Sequence, residues 1–294
     1  MARPFLKWAG GKTQLINQIA KTLPKELSST DFVYVEPFIG SGAVLFWFLE
    51  HFPTMKKAVI NDLNADLINT YNTIKNKPHE LIAVLKGFEE AFRTLESKPD
   101  KRKNYYYNQR TLYNTRSGNN VLQAALFIFL NRTCFNGLYR VNKNNEFNVP
   151  MGSYRNPTIC DSENILSVSK ALQNVEILCG DYEQTLKHAG KRAFFYFDPP
   201  YKPISITSSF NSYANSGFDD EEQARLARFC AKLDKQNHKW MLSNSDVKTT
   251  ESDNLFFDVL YSNFTIRRVK ARRNINSKAD KRGQLNELLI TNYD

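Results

Sequence analysis

The sequence has 294 residues, in which 40 lysines and arginines outnumber 30 aspartates and glutamates. This length suffices for one large domain or two of moderate size. The net charge of +10 favours a polyanionic partner, nucleic acid before an anionic membrane surface. The longest apolar runs are far shorter than the roughly 20 residues that cross a bilayer. The N-terminus also lacks the apolar core of a secretory signal, so we expect a cytoplasmic protein with no membrane span.

The cysteines do not indicate a disulfide framework or a metal site. The four cysteines are scattered without a CxxC pair, and the four histidines do not cluster with them. Zinc sites and disulfide scaffolds need closer and more regular spacing. We therefore expect neither a metal nor a structural disulfide.

Strand and helix signals alternate along much of the chain. β-branched and aromatic runs predict strands, and apolar residues at helical spacing predict helices. The predicted strands cover residues 33–36, 58–62, 175–178, 193–197, 240–242 and 286–292, and the predicted helices cover residues 43–49, 63–74 and 224–233. Such alternation is typical of an α/β fold with a doubly wound, mostly parallel sheet.

Residues 75–156 interrupt this alternation. They offer helical stretches rich in Lys, Arg, Asn and Tyr, and then a hairpin with arms at 138–141 and 147–149. The turn between the arms is rich in asparagine, which tolerates the positive φ that a tight reversal needs. We interpret residues 75–156 as a module inserted into the sheet domain.

A second basic segment precedes the last predicted strand. Residues 266–282 carry many lysines and arginines. Charge runs are usually hydrated surfaces. We therefore expect a solvated loop over residues 266–282.

A glycine loop follows the first predicted strand. Residues 36–42 read EPFIGSG, and Asp62 ends the next strand. In doubly wound sheets, nucleotides bind beyond the carboxyl ends of the strands, and an acidic residue there accepts hydrogen bonds from ribose hydroxyls. Leu45 stands where the third glycine of GxGxxG would be. This favours a smaller adenosine-bearing ligand over a dinucleotide, while an ordinary strand-to-helix turn remains the alternative.

Residues 194–201 read FFYFDPPY, an aromatic strand followed by an acid, two prolines and a tyrosine. The prolines stiffen the turn and lack N–H donors. Carbonyl oxygens and the Asp198 carboxylate can then form a cluster of acceptors suited to an NH2 group. Tyr201 could stack on the ring that carries this amine once the base has left its duplex. The alternative is a simple Pro-Pro turn with a surface tyrosine.

Four motifs in one order span nearly the whole chain. They are KWAGGK at residues 7–12, EPFIGSG at 36–42, NR through NGLYR at 131–140, and DPPY at 198–201. Together they resemble the Dam-like N6-adenine DNA methyltransferases (D12 class, alpha group), and within them the Dam and DpnII-type enzymes that modify adenine in GATC. The resemblance implies a Rossmann-like methyltransferase sheet with an inserted, mostly helical DNA-recognition domain that carries a β-hairpin.

The resemblance also implies a division of labour along the chain. Residues 1–74 would form the first, cofactor-binding part of the catalytic domain, residues 75–156 the target-recognition insertion, and residues 157–294 the second part with the DPPY site. The implied methyl donor is S-adenosylmethionine. Lys12 would meet its carboxylate, Asp62 its ribose and Asp181 its adenine. The residues assigned to the cofactor are Trp8, Lys12, Phe38, Gly40, Gly42, Asp62, Asp181 and Asp198.

The resemblance implies that the DPPY motif holds the base that is methylated. Asp198 and the Pro199 carbonyl would bind the target amine, Pro200 would complete the stiff turn, and Tyr201 would stack on the flipped base. Lys7, Leu138, Arg140, Pro150 and Tyr154 match positions that read GATC. Phe135 replaces a tyrosine that wedges into the duplex, and should still wedge. Arg140 suits guanine, because its guanidinium fork matches the O6 and N7 acceptors.

The expected reaction is direct attack of adenine N6 on the sulfonium methyl, without a covalent enzyme intermediate or metal. Cytosine N4 methylation is chemically close and stays open. Two further alternatives also stay open. One is a protein-glutamine methyltransferase, which typically has Asn in place of Asp198, and the other is a DNA-binding protein without catalysis. The expected partner is double-stranded DNA, with no obligate protein partner evident. The biological role is left open: the enzyme could act beside a restriction endonuclease, in housekeeping or in a phage.

Overall fold

The computed structural model describes residues 1–8, 12–202, 218–248, 254–272 and 284–294. Its helices are α1 (Ile16–Thr22), α2 (Ala43–His51), α3 (Ala65–Asn76), α4 (Pro78–Thr94), α5 (Pro99–Thr115), α6 (Asn120–Thr133), α7 (Ser162–Ala171), α8 (Asp220–Lys235) and α9 (Phe256–Leu260). Its strands are β1 (Phe32–Glu36), β2 (Met55–Asp62), β3 (Val175–Cys179), β4 (Ala193–Phe197), β5 (Lys239–Ser245), β6 (Thr265–Arg272) and β7 (Gln284–Thr291). Within these ranges, no helix combines the length and apolar character needed to cross a membrane.

The described strands form one seven-stranded sheet in the order β3-β2-β1-β4-β5-β7-β6. β1 is parallel to β2 and β4, and β4 is parallel to β5. β7 is antiparallel to both β5 and β6. Every residue of β4 is buried, as expected for a central parallel strand covered on both faces. The predicted α/β class with a mostly parallel, Rossmann-like sheet is confirmed.

One predicted loop is a strand. Residues 266–272 lie in β6, which pairs with β7 along its whole length, for example Arg267 with Leu289 and Val269 with Glu287. The basic charge misled the sequence analysis, because an edge strand tolerates charged side chains that a central strand would exclude. Arg268 on this strand forms ion pairs with Asp246 and Asp258. The remainder of the predicted loop, residues 273–282, lies outside the described residues.

The chain divides into two compact units. The first unit contains residues 1–11, 40–49 and 61–181, and the second contains residues 12–39, 50–60 and 182–294. The predicted insertion, residues 75–156, lies within the first unit and includes α4, α5 and α6. Its treatment as a separate recognition domain stays a prediction.

Helix α6 is the centre of the first unit. Most of its residues are buried, as expected for a helix that is apolar nearly all round. α6 packs against α3, α4 and α5, and Phe129 contacts the rings of Phe88, Phe92 and Tyr105.

The hairpin that follows α6 has two extended arms. They are joined by an antiparallel bridge between Val141 and Phe147, and Asn145 in the turn has φ of 59°. The predicted hairpin is therefore present, and its arms share a single β-bridge instead of a continuous ladder.

Candidate active site

The glycine loop between β1 and α2 is closely packed in the first unit. Gly40 and Gly42 have φ of 47° and 73°, a region that side chains other than glycine rarely adopt. A Cβ atom on Gly40 would lie 3.1 Å from the Trp8 ring, and one on Gly42 would lie 2.6 Å from the Tyr71 hydroxyl. The Tyr71 hydroxyl also donates to the Gly40 carbonyl at 3.1 Å. The loop therefore needs both glycines.

Asp62 holds this loop from the end of β2. One carboxylate oxygen accepts a hydrogen bond from Gly40 N at 3.2 Å, and the other accepts one from Asn64 N at 3.0 Å. Burial raises the pKa of Asp62, and the backbone hydrogen bonds from Asn64 and Gly40 oppose that rise. Each oxygen keeps acceptor capacity beyond these two bonds. Asp62 can thus order the loop and still accept hydroxyl donors from a ligand.

The end of β3 adjoins the same acid. Gly180 N donates to the Asp62 carbonyl at 3.0 Å, and the Asn61 side chain donates to the Gly180 carbonyl at 2.8 Å. Asp181 follows directly and is exposed. The first unit therefore brings Trp8, Gly40, Gly42 and Asp62 together, with Asp181 beside them. Sequence reasoning missed Asn61 and Tyr71, because an asparagine inside a strand and a tyrosine in a helix carry no local functional signal.

Asp198 lies at the end of β4 in the second unit and is paired with a buried lysine. Lys12 Nζ is 2.9 Å from Asp198 Oδ1, and the Lys12 side chain is only 5% exposed. Ser243 Oγ donates to the same carboxylate oxygen at 3.2 Å. Burial raises the pKa of Asp198, the Lys12 ammonium opposes that rise, and the Glu287 charge adds to it. The structure thus gives Lys12 a partner other than the expected cofactor carboxylate.

Tyr201 is fixed at both its ring and its hydroxyl. Lys12 Nζ lies 4.3 Å from the ring centroid, and the hydroxyl donates to Glu287 at 2.7 Å. Burial raises the pKa of Tyr201 well above its ordinary value, and the charges of Asp198 and Glu287 raise it further. Tyr201 therefore stays protonated and acts as the donor. Sequence reasoning missed Glu287, which is on an antiparallel strand 86 residues away.

A polar network supports the backbone of the DPPY loop. Gln223 of α8 donates to the Pro200 carbonyl at 3.1 Å and accepts from Asn244 at 3.2 Å. Ser245 Oγ donates to the Lys202 carbonyl at 2.6 Å. Pro199 is buried and Pro200 is exposed. The polar ending SNS of the otherwise apolar β5 is the local sequence signal for this network.

Phe38 has ring neighbours of its own in the second unit. Its ring lies 5.2 Å from that of Tyr182, 5.7 Å from that of Phe218 and 6.5 Å from that of Phe197. Phe38 is nevertheless only partly buried. Its assignment to the cofactor stays a prediction.

The predicted DNA-reading residues are linked by contacts within the first unit. Lys7 Nζ lies 3.8 Å from the centre of the Tyr154 ring. Phe135 N donates to the Pro150 carbonyl at 2.9 Å, and the Phe135 side chain is 51% exposed. Leu138 and Arg140 follow on the first arm of the hairpin, and both are exposed. These residues present apolar, aromatic and cationic side chains to solvent, which suits a duplex.

Comparison with known proteins decides the family. Residues 8–275 match the family described as D12 class N6 adenine-specific DNA methyltransferase. The chain belongs to this family. The predicted activity on adenine N6 in DNA is therefore confirmed over cytosine N4 methylation, protein-glutamine methylation and non-catalytic DNA binding.

Curated relatives of the methyltransferase match along its full length. It is 50% identical to type II methyltransferase M.MjaIII of Methanocaldococcus jannaschii, over 99% of each chain. It is 40% identical to type II methyltransferase M1.LlaDCHI of Lactococcus lactis subsp. cremoris, over 99% of this chain and 95% of the relative. It is 34% identical to the DNA adenine methylase of Escherichia coli K12, over 98% of this chain and 94% of the relative.

Proposed function

We propose that the methyltransferase uses S-adenosylmethionine to methylate adenine N6 within GATC in duplex DNA, by flipping the base out and transferring the methyl group directly. The observation that carries this proposal is the arrangement of Asp198, Tyr201 and Lys12. The Lys12 ammonium, a nitrogen with N–H donors, lies 2.9 Å from Asp198 Oδ1 and 4.3 Å from the centre of the Tyr201 ring. An exocyclic amine on a purine needs the same pair of partners, an acceptor for N–H and an aromatic face for the ring.

The position of Asp198 supports base flipping. Its carboxylate ends a fully buried strand and is itself only 22% exposed. An amine inside a stacked duplex would be poorly placed to reach such a group, and this favours a base that has left the helix. Stacking on Tyr201 would repay part of the cost of unstacking, about 1 to 3 kcal/mol for a base on an aromatic ring.

Residues of the first unit suit an adenosine-bearing donor. The glycine loop permits close backbone approach, and Asp62 keeps acceptor capacity for ribose hydroxyls. We assign Trp8, Gly40, Gly42, Asp62 and Asp181 to the donor, together with Lys12, Phe38 and Asp198 as the family resemblance implies. When bound, the donor supplies a methyl group already activated by its sulfonium charge.

Asp198 acts by holding the amine and orienting its lone pair. The carboxylate and the Pro199 carbonyl accept the two N6 hydrogens, which favours a pyramidal nitrogen with an available lone pair. Positive charge develops on N6 as it is methylated, and a fixed carboxylate stabilises that charge. The methylated nitrogen is acidic and loses its proton readily, so Asp198 need not be a strong base.

The GATC target rests on the recognition residues. Lys7, Leu138, Arg140, Pro150 and Tyr154 match the positions that read GATC in the family, and Phe135 supplies the aromatic wedge. The names of the relatives add weight, because one is a DNA adenine methylase and two are type II methyltransferases. The type II names also fit a role beside a restriction endonuclease.

The test is methyl transfer from labelled S-adenosylmethionine to duplex oligonucleotides. One duplex contains a single GATC, and the others change one base pair of it at a time. We expect label only in GATC, recovered as N6-methyl-2′-deoxyadenosine after digestion to nucleosides, with none when the adenines of both strands are already methylated.

Two variants control the assignment of the site. Asp198→Ala should lose at least about a hundredfold in kcat, as when a group that stabilises transition-state charge is removed. Asp31→Asn, at an exposed ion pair with Lys56, should retain full activity. Transfer independent of the central four base pairs would contradict the target, and normal turnover by Asp198→Ala would contradict the site.

A further inference from the structure

The recognition hairpin is held from both sides: Tyr139 of its first arm packs against the rings of Trp8 and Phe127, and its second arm is held by helix α5. Between its own arms it forms one β-bridge, Val141 to Phe147, and few other backbone hydrogen bonds. An isolated hairpin of this length is marginally stable in water. Reading a base edge, however, requires side chains fixed to within about 0.5 Å. The rigidity must therefore come from outside the hairpin.

For the second arm, a row of side chains on α5 supplies this rigidity. Tyr106, Arg110 and Asn114 are spaced by four residues and so lie on one face of the helix. Tyr106 OH and Arg110 Nη1 donate to the Val149 carbonyl at 2.8 Å and 3.3 Å. Val149 itself is buried. The second arm of the hairpin therefore lies along this row.

Asn114 makes the most specific of these contacts. Its side-chain amide donates to the Phe147 carbonyl at 3.1 Å and accepts from Phe147 N at 2.8 Å. An amide that bonds both the N–H and the C=O of one residue replaces the neighbouring strand of a sheet. Asn114 therefore fixes the backbone of the second arm in both position and orientation.

The second arm in turn orients Arg140 on the first. Asn148 lies between the two residues that α5 holds, Phe147 and Val149. It donates through its backbone N to the Arg140 carbonyl at 3.1 Å and accepts from Arg140 Nε at 2.7 Å. This side-chain bond uses Nε, so both terminal nitrogens of the guanidinium keep their N–H donors for a guanine edge.

The tip of the hairpin has a separate anchor. Arg116, at the end of α5, donates to the Asn145 carbonyl at 3.3 Å and to Asp66 at 2.6 Å. Asp66 also accepts from the Tyr113 hydroxyl at 2.7 Å. The turn is therefore tied to the first turn of α3.

We propose that Asn114 is a specificity-positioning residue, which acts through Phe147 and Asn148 to hold the Arg140 guanidinium in its reading geometry. The inference rests on the proposed function, because it needs Arg140 to read a base. Asn114 itself need not touch DNA. Its loss should weaken discrimination at the base pair that Arg140 reads and leave discrimination at other base pairs unchanged.

The experiment compares Arg140→Ala, Asn148→Ala and Asn114→Ala with the matched control Asn108→Ala, an exposed asparagine of the same helix. The duplex set is built around the site that the wild-type protein methylates in genomic DNA. A site other than GATC would contradict the proposed target and still leave the role of Asn114 open to test. The readout is the ratio of kcat/KM for the intact site to kcat/KM for each single-base-pair change.

Arg140→Ala identifies the base pair, where we expect a loss of roughly 10-fold to 100-fold in discrimination. Asn114→Ala and Asn148→Ala should lose about tenfold at the same base pair, and Asn108→Ala should match the wild type. The ratio does not depend on the fraction of folded protein, so simple destabilisation cannot imitate this result. Unchanged discrimination in Asn114→Ala would overturn the proposal, and so would an equal loss at every base pair.

Discussion

The ammonium of Lys12 lies 2.9 Å from Asp198 Oδ1, in a region where the lysine is almost fully buried. The same ammonium lies over the Tyr201 ring. The acid and the aromatic of the DPPY motif are thus held by one cation from the N-terminal motif. In the proposed reaction, the target amine must take over the hydrogen bonding of Asp198, at least in part. We therefore expect the charge balance at Asp198 to affect both the stability and the activity of the protein.

Neutralising Asp198 should abolish activity without weakening the fold. Burial raises the pKa of Asp198 despite the presence of Lys12. A carboxyl whose pKa is raised by folding stabilises the protein while protonated and loses that contribution as the pH rises through its folded pKa. At neutral pH the charge is thus a net cost, and Asp198→Asn removes it while keeping an acceptor for Lys12. We expect a Tm equal to or above that of the wild type at pH 7, measured by calorimetry.

The advantage of Asp198→Asn should shrink as the pH falls, because Asp198 in the wild type then becomes protonated as well. A Tm clearly below that of the wild type at pH 7 would show that the ion pair with Lys12 outweighs the burial of the charge. Asp31→Asn provides the exposed control and should leave Tm unchanged.

The acidic limb of the pH profile should report Asp198. The ionised carboxylate is needed to hold the amine, so kcat/KM should fall on acidification with a pKa above the ordinary 3.8. Lys12→Met should move this limb to higher pH, and Glu287→Gln should move it to lower pH. The reason is that the Lys12 charge lowers the pKa of Asp198 and the Glu287 charge raises it.

Single-turnover rates between pH 4 and pH 8 would measure these shifts, with titration of the DNA alone as a control. Other groups also face Asp198. Ser243 donates a hydrogen bond to it, and the Asp198 charge raises the pKa values of Tyr196 and Tyr201. The tyrosines stay neutral across this range and should not contribute a limb. Shifts of the same sign in Lys12→Met and Glu287→Gln would contradict the assignment.

At a pH where Asp198 is fully ionised, we expect Glu287 to act through the Tyr201 hydroxyl. Tyr201→Phe keeps the ring and removes the hydrogen bond to Glu287, so we expect a decrease in kcat of roughly 2-fold to 10-fold, the usual net value of one hydrogen bond. Tyr201→Ala also loses stacking, worth about 1 to 3 kcal/mol per base, and should decrease kcat further. If the two residues act as a unit, Glu287→Leu combined with Tyr201→Phe should be no worse than the more damaged single variant. If the effects of Glu287→Leu and Tyr201→Phe on kcat were fully additive at saturating DNA, the two residues would act independently.

The glycine loop should tolerate no side chain at Gly40. A Cβ there would lie 3.1 Å from the Trp8 ring on a backbone with φ of 47°. We expect Gly40→Ala to weaken the binding of S-adenosylmethionine at least about tenfold, as measured by isothermal titration calorimetry. The same substitution at Gly87 in α4, where a Cβ meets nothing within 4 Å, should leave binding unchanged and stabilise the helix by about 0.5 to 1 kcal/mol. Equal affinities of the two variants for S-adenosylmethionine would contradict the assignment of the glycine loop to the donor site.

The sequence by itself determined the α/β class, the β1 to α2 glycine loop, the acid at the end of β2 and the DPPY turn. These features depend on local patterns, such as apolar periodicity, glycine at positive φ and polar residues at the ends of strands. The hairpin was also predictable, because its asparagine-rich turn carries a local signal.

Only the tertiary structure decided which distant residues meet. It paired Lys12 with Asp198 and Tyr201 with Glu287, and it joined Asn114 of α5 to Phe147 of the hairpin. It also made a strand of residues 266–272, because hydrogen bonding to β7 prevailed over their basic composition. Strand order and helix packing set these contacts between residues far apart in the chain, and local periodicity carries no information about them.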